Sequence, residues 1–175
     1  NYIELNGVFY WDLPYLYNQL KKGFLAFRQA DVGELDCFGI DTWGVDFGLI
    51  DSEGKLMENP VHYLDVRTVG LVEEAFKTMP KEKLYGITGI QFMELNTLFQ
   101  LISLKKYRPW MLERADKMLF MPDLFGYMLT GKMCAEYSIA STSQLIDLDK
   151  RTWSKEILDA FGIKKSVFAP LVQPG

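Results

Sequence analysis

Gly39-Ile40-Asp41-Thr42-Trp43-Gly44-Val45-Asp46-Phe47 decides how this chain reads, because an apolar strand ending in acid, aromatic and glycine is how a sheet delivers polar groups to a ligand. Cys37, Phe38 and Ile40 read as the lead-in of a buried strand. Val45, Phe47, Leu49 and Ile50 carry apolar side chains onward through Gly48 to Asp51-Ser52-Glu53-Gly54, a hairpin turn. Between the halves stand Asp41, Thr42, Trp43, Gly44 and Asp46. Gly44 has no side chain, so the backbone there can approach a ligand closely, and Trp43 offers a flat apolar wall of the kind a sugar ring stacks on. The same residues also fit a plain turn at Asp41 and Thr42, a bulge at Gly44 and a core tryptophan.

Upstream, Ile3, Leu5, Val8, Phe9 and Trp11 flank Asn6-Gly7, a two-residue hairpin signal. Asp12 is placed to cap a helix from Leu13 to Lys22, with Leu13, Leu16, Tyr17 and Leu20 on one face. Downstream, a short strand is expected at Val61 to Leu64, a helix from Thr68 to Lys77, and a better one through Tyr107 capped by Asn96 and Thr97. Pro109 ends or restarts helix. Pro122 opens a helix from Asp123 to Leu129 that Gly131 ends. Ser138 and Thr142 are read as caps of the next turns, and a last helix runs from Lys155 to Phe161, closed by Gly162. Early strands and later helices, without internal repeat or low-complexity linker, describe an α/β domain.

The 175 residues, 49% apolar and 14% aromatic, suffice for one domain with a real core. A net charge of −4, with basic pairs no longer than Lys105-Lys106 or Lys164-Lys165, gives a phosphate backbone little to hold, so nucleic acid is not an expected partner. Cys37 and Cys134 read as two buried free thiols suited to a reducing cytoplasm. His62 is the only histidine and the two cysteines stand far apart, so neither a zinc site nor a Ser-His-Asp triad is expected. The most apolar stretch, Met118 to Leu129, is broken by Pro122, Asp123 and Gly126 and is too short to span a bilayer. Its methionines, with Met111, read as core.

One stretch imitates a phosphate loop: Gly126-Tyr127-Met128-Leu129-Thr130-Gly131-Lys132-Met133 has the spacing, but Met133 stands where a Mg²⁺-binding hydroxyl is required, and the intervening residues are helix formers. Asp65 and Arg67, two apart on an extended segment, would share one face and could meet sugar hydroxyls or simply each other. Gln91, on the Gly89-Ile90-Gln91-Phe92 turn, is a further hydroxyl-binding candidate, and Asp46 either lines the same pocket or faces a backbone amide.

A series of segments in order then carries a resemblance: Tyr10-Trp11-Asp12, the opening stretch, Pro60 to Thr68, Gly89 to Phe92, Asn96-Thr97-Leu98-Phe99-Gln100-Leu101, Met121-Pro122-Asp123-Leu124-Phe125, Leu129 to Met133, and Ala140-Ser141-Thr142-Ser143-Gln144-Leu145. Together they resemble the FGGY carbohydrate kinases, and within that family the rhamnulokinase branch. Leu64 and Val66 depart from the more polar pattern expected around Asp65 and Arg67. The resemblance implies an actin-like ATPase, ribonuclease H-like fold, with ATP and Mg²⁺ as cofactors and transfer of the γ-phosphate to the 1-hydroxyl of L-rhamnulose in the cytoplasm. It implies that residues 1–175 are an internal piece of the N-terminal, sugar-side domain. The Asp-x-Gly phosphate hairpin is then expected before Asn1, and the catalytic aspartate and the C-terminal nucleotide-binding domain beyond Gly175, so that no residue of this chain is a catalytic candidate. The resemblance also makes Gly44, Trp43 and Thr42 the first substrate-binding candidates, followed by Asp46, Asp65, Arg67 and Gln91. The rival expectations are a related kinase for another ketose or polyol, and a non-catalytic sugar-binding domain of the same fold.

Overall fold

The computed structural model describes residues 2–174. Asn1 and Gly175 lie outside the described residues. The Asn6-Gly7 signal closes as a hairpin: Tyr2–Leu5 (β1) pairs antiparallel with Val8–Trp11 (β2), and Asn6 and Gly7 take φ of 52° and 77°, as a two-residue turn of this hand demands. Asp12 caps α1 (Leu13–Gln29) by accepting from Tyr15 N at 3.1 Å. The helix runs on to Gln29 rather than stopping at Lys22, because a glycine inside a helix, here Gly23, costs only about 1 kcal/mol. Its distal half is mostly exposed, with Phe24 resting edge-on against Phe38.

Cys37, Phe38 and Ile40 form no strand. Residues 32–43 join no ladder, Cys37 is exposed and so is Phe38. A strand needs a partner backbone, and none of the described residues supplies one there. Cys134 is half-buried, and both thiols are free.

The core ribbon forms after this segment. Phe47–Asp51 (β3) pairs antiparallel with Ala115–Phe120 (β4), in the register Phe47↔Phe120 and Leu49↔Met118. Sequence reading missed β4, since its inner end merges with the apolar run that continues into the next helix. Phe47, Leu49, Ile50, Met118, Leu119 and Phe120 are all buried, so both faces of the ribbon are covered. Gly48 makes this possible: a Cβ there would lie 2.7 Å from Leu124 Cδ2 and 2.9 Å from Leu56 Cδ1. Gly48→Ala should therefore destabilise the domain by about 1–3 kcal/mol through overpacking, read as a lowered denaturation midpoint; an unchanged midpoint would show that both leucines swing aside freely.

The expected strand at Val61 to Leu64 reduces to one bridge between Tyr10 and Val61. His62 N donates to Phe9 O, and the chain turns at once through Asp65 N donating to His62 O. Val66–Thr68 is a single 3₁₀ turn, and α2 (Leu71–Thr78) begins later than Thr68, after Gly70 at φ 77°. α3 (Lys81–Thr88), unforeseen in the sequence, ends at Gly89 with φ 62°. α4 (Thr97–Tyr107) is the central helix, with Leu98, Phe99, Gln100, Leu101 and Leu104 all buried. Asn96 and Thr97 do not cap it with their side chains. Asn96 Oδ1 accepts from Met93 N, its Nδ2 donates to Thr142 O, and Thr97 donates to Val45 O.

α5 (Pro109–Arg114) restarts at Pro109, and α6 (Met121–Thr130) carries Pro122 in its first turn and Gly131 at φ 74° after its last. β5 (Ala135–Glu136) leads into α7 (Tyr137–Ser141), whose N-terminus is capped by Glu136 rather than Ser138, while Thr142 closes its other end. β6 (Ile146–Asp147) and β7 (Thr152–Trp153) pair antiparallel, α8 (Lys155–Phe161) ends at Gly162, and β8 (Leu171–Val172) lies parallel to β5. Trp153 packs at a tilt against Phe168, ring centroids 4.4 Å apart, and donates to Ala169 O, which ties this last part to the core. Met111, Met118 and Met121 are buried and Met128 packs against the core from a partly buried position. Among the described residues no helix is long and apolar enough to cross a membrane.

Candidate functional site

Residues 40–44 form one wall of a cleft of about 440 Å³; Pro122 and Asp123 from α6, with Glu136, Ser138 and Ile139 around the start of α7, form the other. Thr42, Trp43 and Gly44 thus share one cleft. Gly44 sits against the end of α7, where an added Cβ would lie 3.2 Å from Thr142 Oγ1, and its backbone borders the cleft.

The wall is held in an uncommon backbone shape. Asp46 N donates to Gly44 O at 2.9 Å, closing a three-residue turn about Val45, whose φ is +68°. For a β-branched residue such a φ is strained by about 1–3 kcal/mol and persists only where the surroundings hold it. Here they do: Val45 is buried, and its carbonyl accepts from Thr97 Oγ1 at 2.7 Å and Gln100 Nε2 at 3.3 Å.

Asp46 lies behind this turn, fully buried. Its Oδ2 accepts from Trp11 Nε1 at 2.6 Å, Tyr63 N at 3.1 Å and Trp43 Nε1 at 3.2 Å, and its Oδ1 from Gln100 Nε2 at 3.1 Å. Burial pushes the Asp46 carboxyl above its ordinary range, and the four donors pull against that shift. The ring centroids of the two indoles that share this carboxylate lie 3.9 Å apart, and Trp11 also stacks on His62 at 4.1 Å.

Asp65 and Arg67 are not on a strand, and they do not pair through their side chains. Asp65 caps the 3₁₀ turn, accepting from Arg67 N and Phe9 N. The Arg67 guanidinium donates to Gln100 Oε1 and has no carboxylate within 4.0 Å among the described residues. Burial lowers its pKa, opposed mainly by Asp65 and Asp46. Gln91 is exposed and borders a separate surface depression with Lys81, Tyr85 and Phe92; its carbonyl accepts from Gln144 Nε2.

Four residues outside the candidate set matter here. Trp11, Thr97 and Gln100 support the turn, and the sequence carried one signal for Gln100, a polar side chain within the apolar run Leu98 to Leu101. Asp123 is the fourth. It is only 7% exposed; Oδ1 accepts from Glu136 N at 3.0 Å, while Oδ2 has no partner among the described residues. Burial pushes Asp123 up to about 7. Glu136 would rise with burial too, but hydrogen bonds from Ser138 and Ile139 outweigh that and hold it below its ordinary value. Among the described residues no group of three His, Cys, Asp or Glu is placed to hold a metal, and Gly126 to Met133 is helix and cap, with Thr130 Oγ1 donating to Gly126 O.

The family model described as "FGGY family of carbohydrate kinases, N-terminal domain" matches residues 11–175. A rhamnulokinase of Bacteroides thetaiotaomicron is 45% identical over 175 residues, covering 99% of this chain and 36% of the relative, and one of Halalkalibacterium halodurans is 41% identical over 98% of the chain and 37% of the relative. The chain therefore spans little more than a third of the length of these relatives. Among solved structures, a xylulose kinase from Lactobacillus acidophilus superposes with a TM-score of 0.90 at 20% identity, covering 99% of this chain and 36% of that one. Plasmodium falciparum glycerol kinase with ADP does so at 0.82 and 20%, covering 97% and 36%. The fold is thus the one shared by sugar kinases of the actin-like ATPase class, and the chain belongs to the FGGY family of carbohydrate kinases.

Proposed function

We propose that this chain forms the acceptor-side wall of an ATP-dependent rhamnulokinase, which transfers the γ-phosphate of ATP to the 1-hydroxyl of L-rhamnulose. The observation that carries the reading is 45% identity to a rhamnulokinase along essentially the whole chain, the strained turn and cleft at residues 42–46 lying within it. Trp43 supplies an apolar face, Thr42 a hydroxyl, and Gly44 a backbone that a sugar hydroxyl can reach without meeting a side chain. Phosphoryl transfer leaves little covalent chemistry to the protein, so the work of this wall is to hold the acceptor oxygen in line. MgATP supplies the transferring phosphoryl group and the charge neutralisation when bound. No carboxylate described here is assigned the general base, which this reading puts beyond Gly175. Asp65 and Arg67 act from behind the wall, through the 3₁₀ turn and Gln100, and Gln91 belongs to a neighbouring surface. Two free cysteines suit a cytoplasmic enzyme.

The test is ADP release by the full-length protein with MgATP and L-rhamnulose, L-fuculose, D-xylulose, L-ribulose or glycerol. Turnover selective for L-rhamnulose is the expected result. Preference for another acceptor reassigns the substrate within the family, and silence across the panel from a folded protein that binds ATP removes the kinase reading for these sugars.

A further inference from the structure

We infer that Gln100 is a positioning residue of the acceptor wall: its amide, locked between Arg67 and Asp46, sets where Trp43 and Gly44 stand. The inference rests on the reading of that wall as the sugar side. Gln100 is 2% exposed and comes from the central helix α4, so its backbone is anchored independently of the loop it touches.

Its amide has only one workable orientation. Oε1 faces Arg67, which can only donate, and Nε2 faces acceptors only, namely Leu95 O at 2.8 Å, Asp46 Oδ1 at 3.1 Å and Val45 O at 3.3 Å. One side chain therefore joins the 3₁₀ turn at Arg67, the loop entering α4 and the strained turn at Val45. Arg67 has no carboxylate partner among the described residues, and the amide passes its polarisation to Asp46, the acceptor that aligns the Trp11 and Trp43 indoles. A residue set behind the wall, away from the cleft itself, thus governs the surface on which the sugar rests.

Gln100→Glu is nearly isosteric and keeps an acceptor for Arg67, but it turns an oxygen toward Asp46, Val45 O and Leu95 O. In the full-length enzyme it should raise the sugar KM about tenfold or more while leaving the KM for ATP within about twofold, the pattern of lost acceptor positioning. The circular-dichroism band of the coupled Trp11–Trp43 pair should change with it, and this is read without turnover. Arg67→Lys keeps the charge and leaves α4 untouched; it should loosen the same amide and move both readouts in the same direction by a smaller amount. A purely structural Gln100 would lower the melting temperature and leave the ratio of the two KM values and the tryptophan band as they are. That result in either folded variant overturns the inference. If the wild-type protein phosphorylates no sugar, the functional reading fails instead, and the tryptophan band alone decides whether Gln100 positions the turn.

Discussion

Asp46→Asn should lower the stability of the domain by about 2–4 kcal/mol, although it removes a buried charge and changes almost no volume. Both carboxylate oxygens of Asp46 act as acceptors, three donors converging on Oδ2 and one on Oδ1. An asparagine has a single acceptor oxygen. If its NH₂ replaces Oδ1 it meets the NH₂ of Gln100, and if it replaces Oδ2 it meets two indole N–H groups and a backbone N–H. Either choice leaves buried donors facing each other, and the desolvation saved by losing the charge does not restore their partners. Urea or thermal unfolding of the full-length protein, following the transition of this domain, gives the number. A loss below about 0.5 kcal/mol would mean that the donors find other acceptors and that the cluster is not the anchor of the strained turn.

Asp123→Asn should act in the opposite sense at alkaline pH. Burial raises the Asp123 carboxyl from 3.8 to about 7, so the folded protein holds a proton that the unfolded chain releases near its ordinary value. A folded-state pKa raised in this way leaves the carboxyl neutral and harmless below about pH 4, and makes the folded state progressively less favourable as pH rises from about 4 to 7. Above pH 7 the full penalty, about 4 kcal/mol, is present. Asparagine keeps the carbonyl that accepts from Glu136 N and cannot ionise. The variant should therefore gain stability over the wild type as pH increases from about 5 to about 8, with the difference levelling off beyond. Melting curves across that range check this, and parallel profiles for the two proteins would mean that Asp123 is ionised and paired within the full-length protein.

Legibility in the sequence followed the range of the interaction that makes each element. The Asn6-Gly7 hairpin, the Asp12 cap, the Pro122 helix start and the Gly131 and Gly162 helix ends were readable because each depends on a backbone preference within a few residues. The ribbon of β3 and β4 was half readable. Phe47 to Ile50 showed its apolar pattern, whereas β4 is defined by pairing with a strand far back in the chain, and its inner end, Met118 to Phe120, has no alternation because both faces are covered there. The reverse failure at Cys37 to Ile40 has the same origin: apolar residues alone do not make a strand where no partner backbone lies alongside.

For the candidate site, the sequence by itself determined the family and marked Thr42, Trp43 and Gly44, which line one cleft. Glycine and tryptophan in that motif act through their own shape, so the residue type already states what each can offer. Only the tertiary structure decided that Asp46 faces inward to two indoles, that Arg67 reaches Gln100 rather than Asp65, and that Asp123 borders the cleft with one unsatisfied oxygen. Those roles depend on which donors and acceptors meet in a space closed to water, and residues as far apart as Trp11, Asp46 and Gln100 acquire partners only when the packed core brings them together.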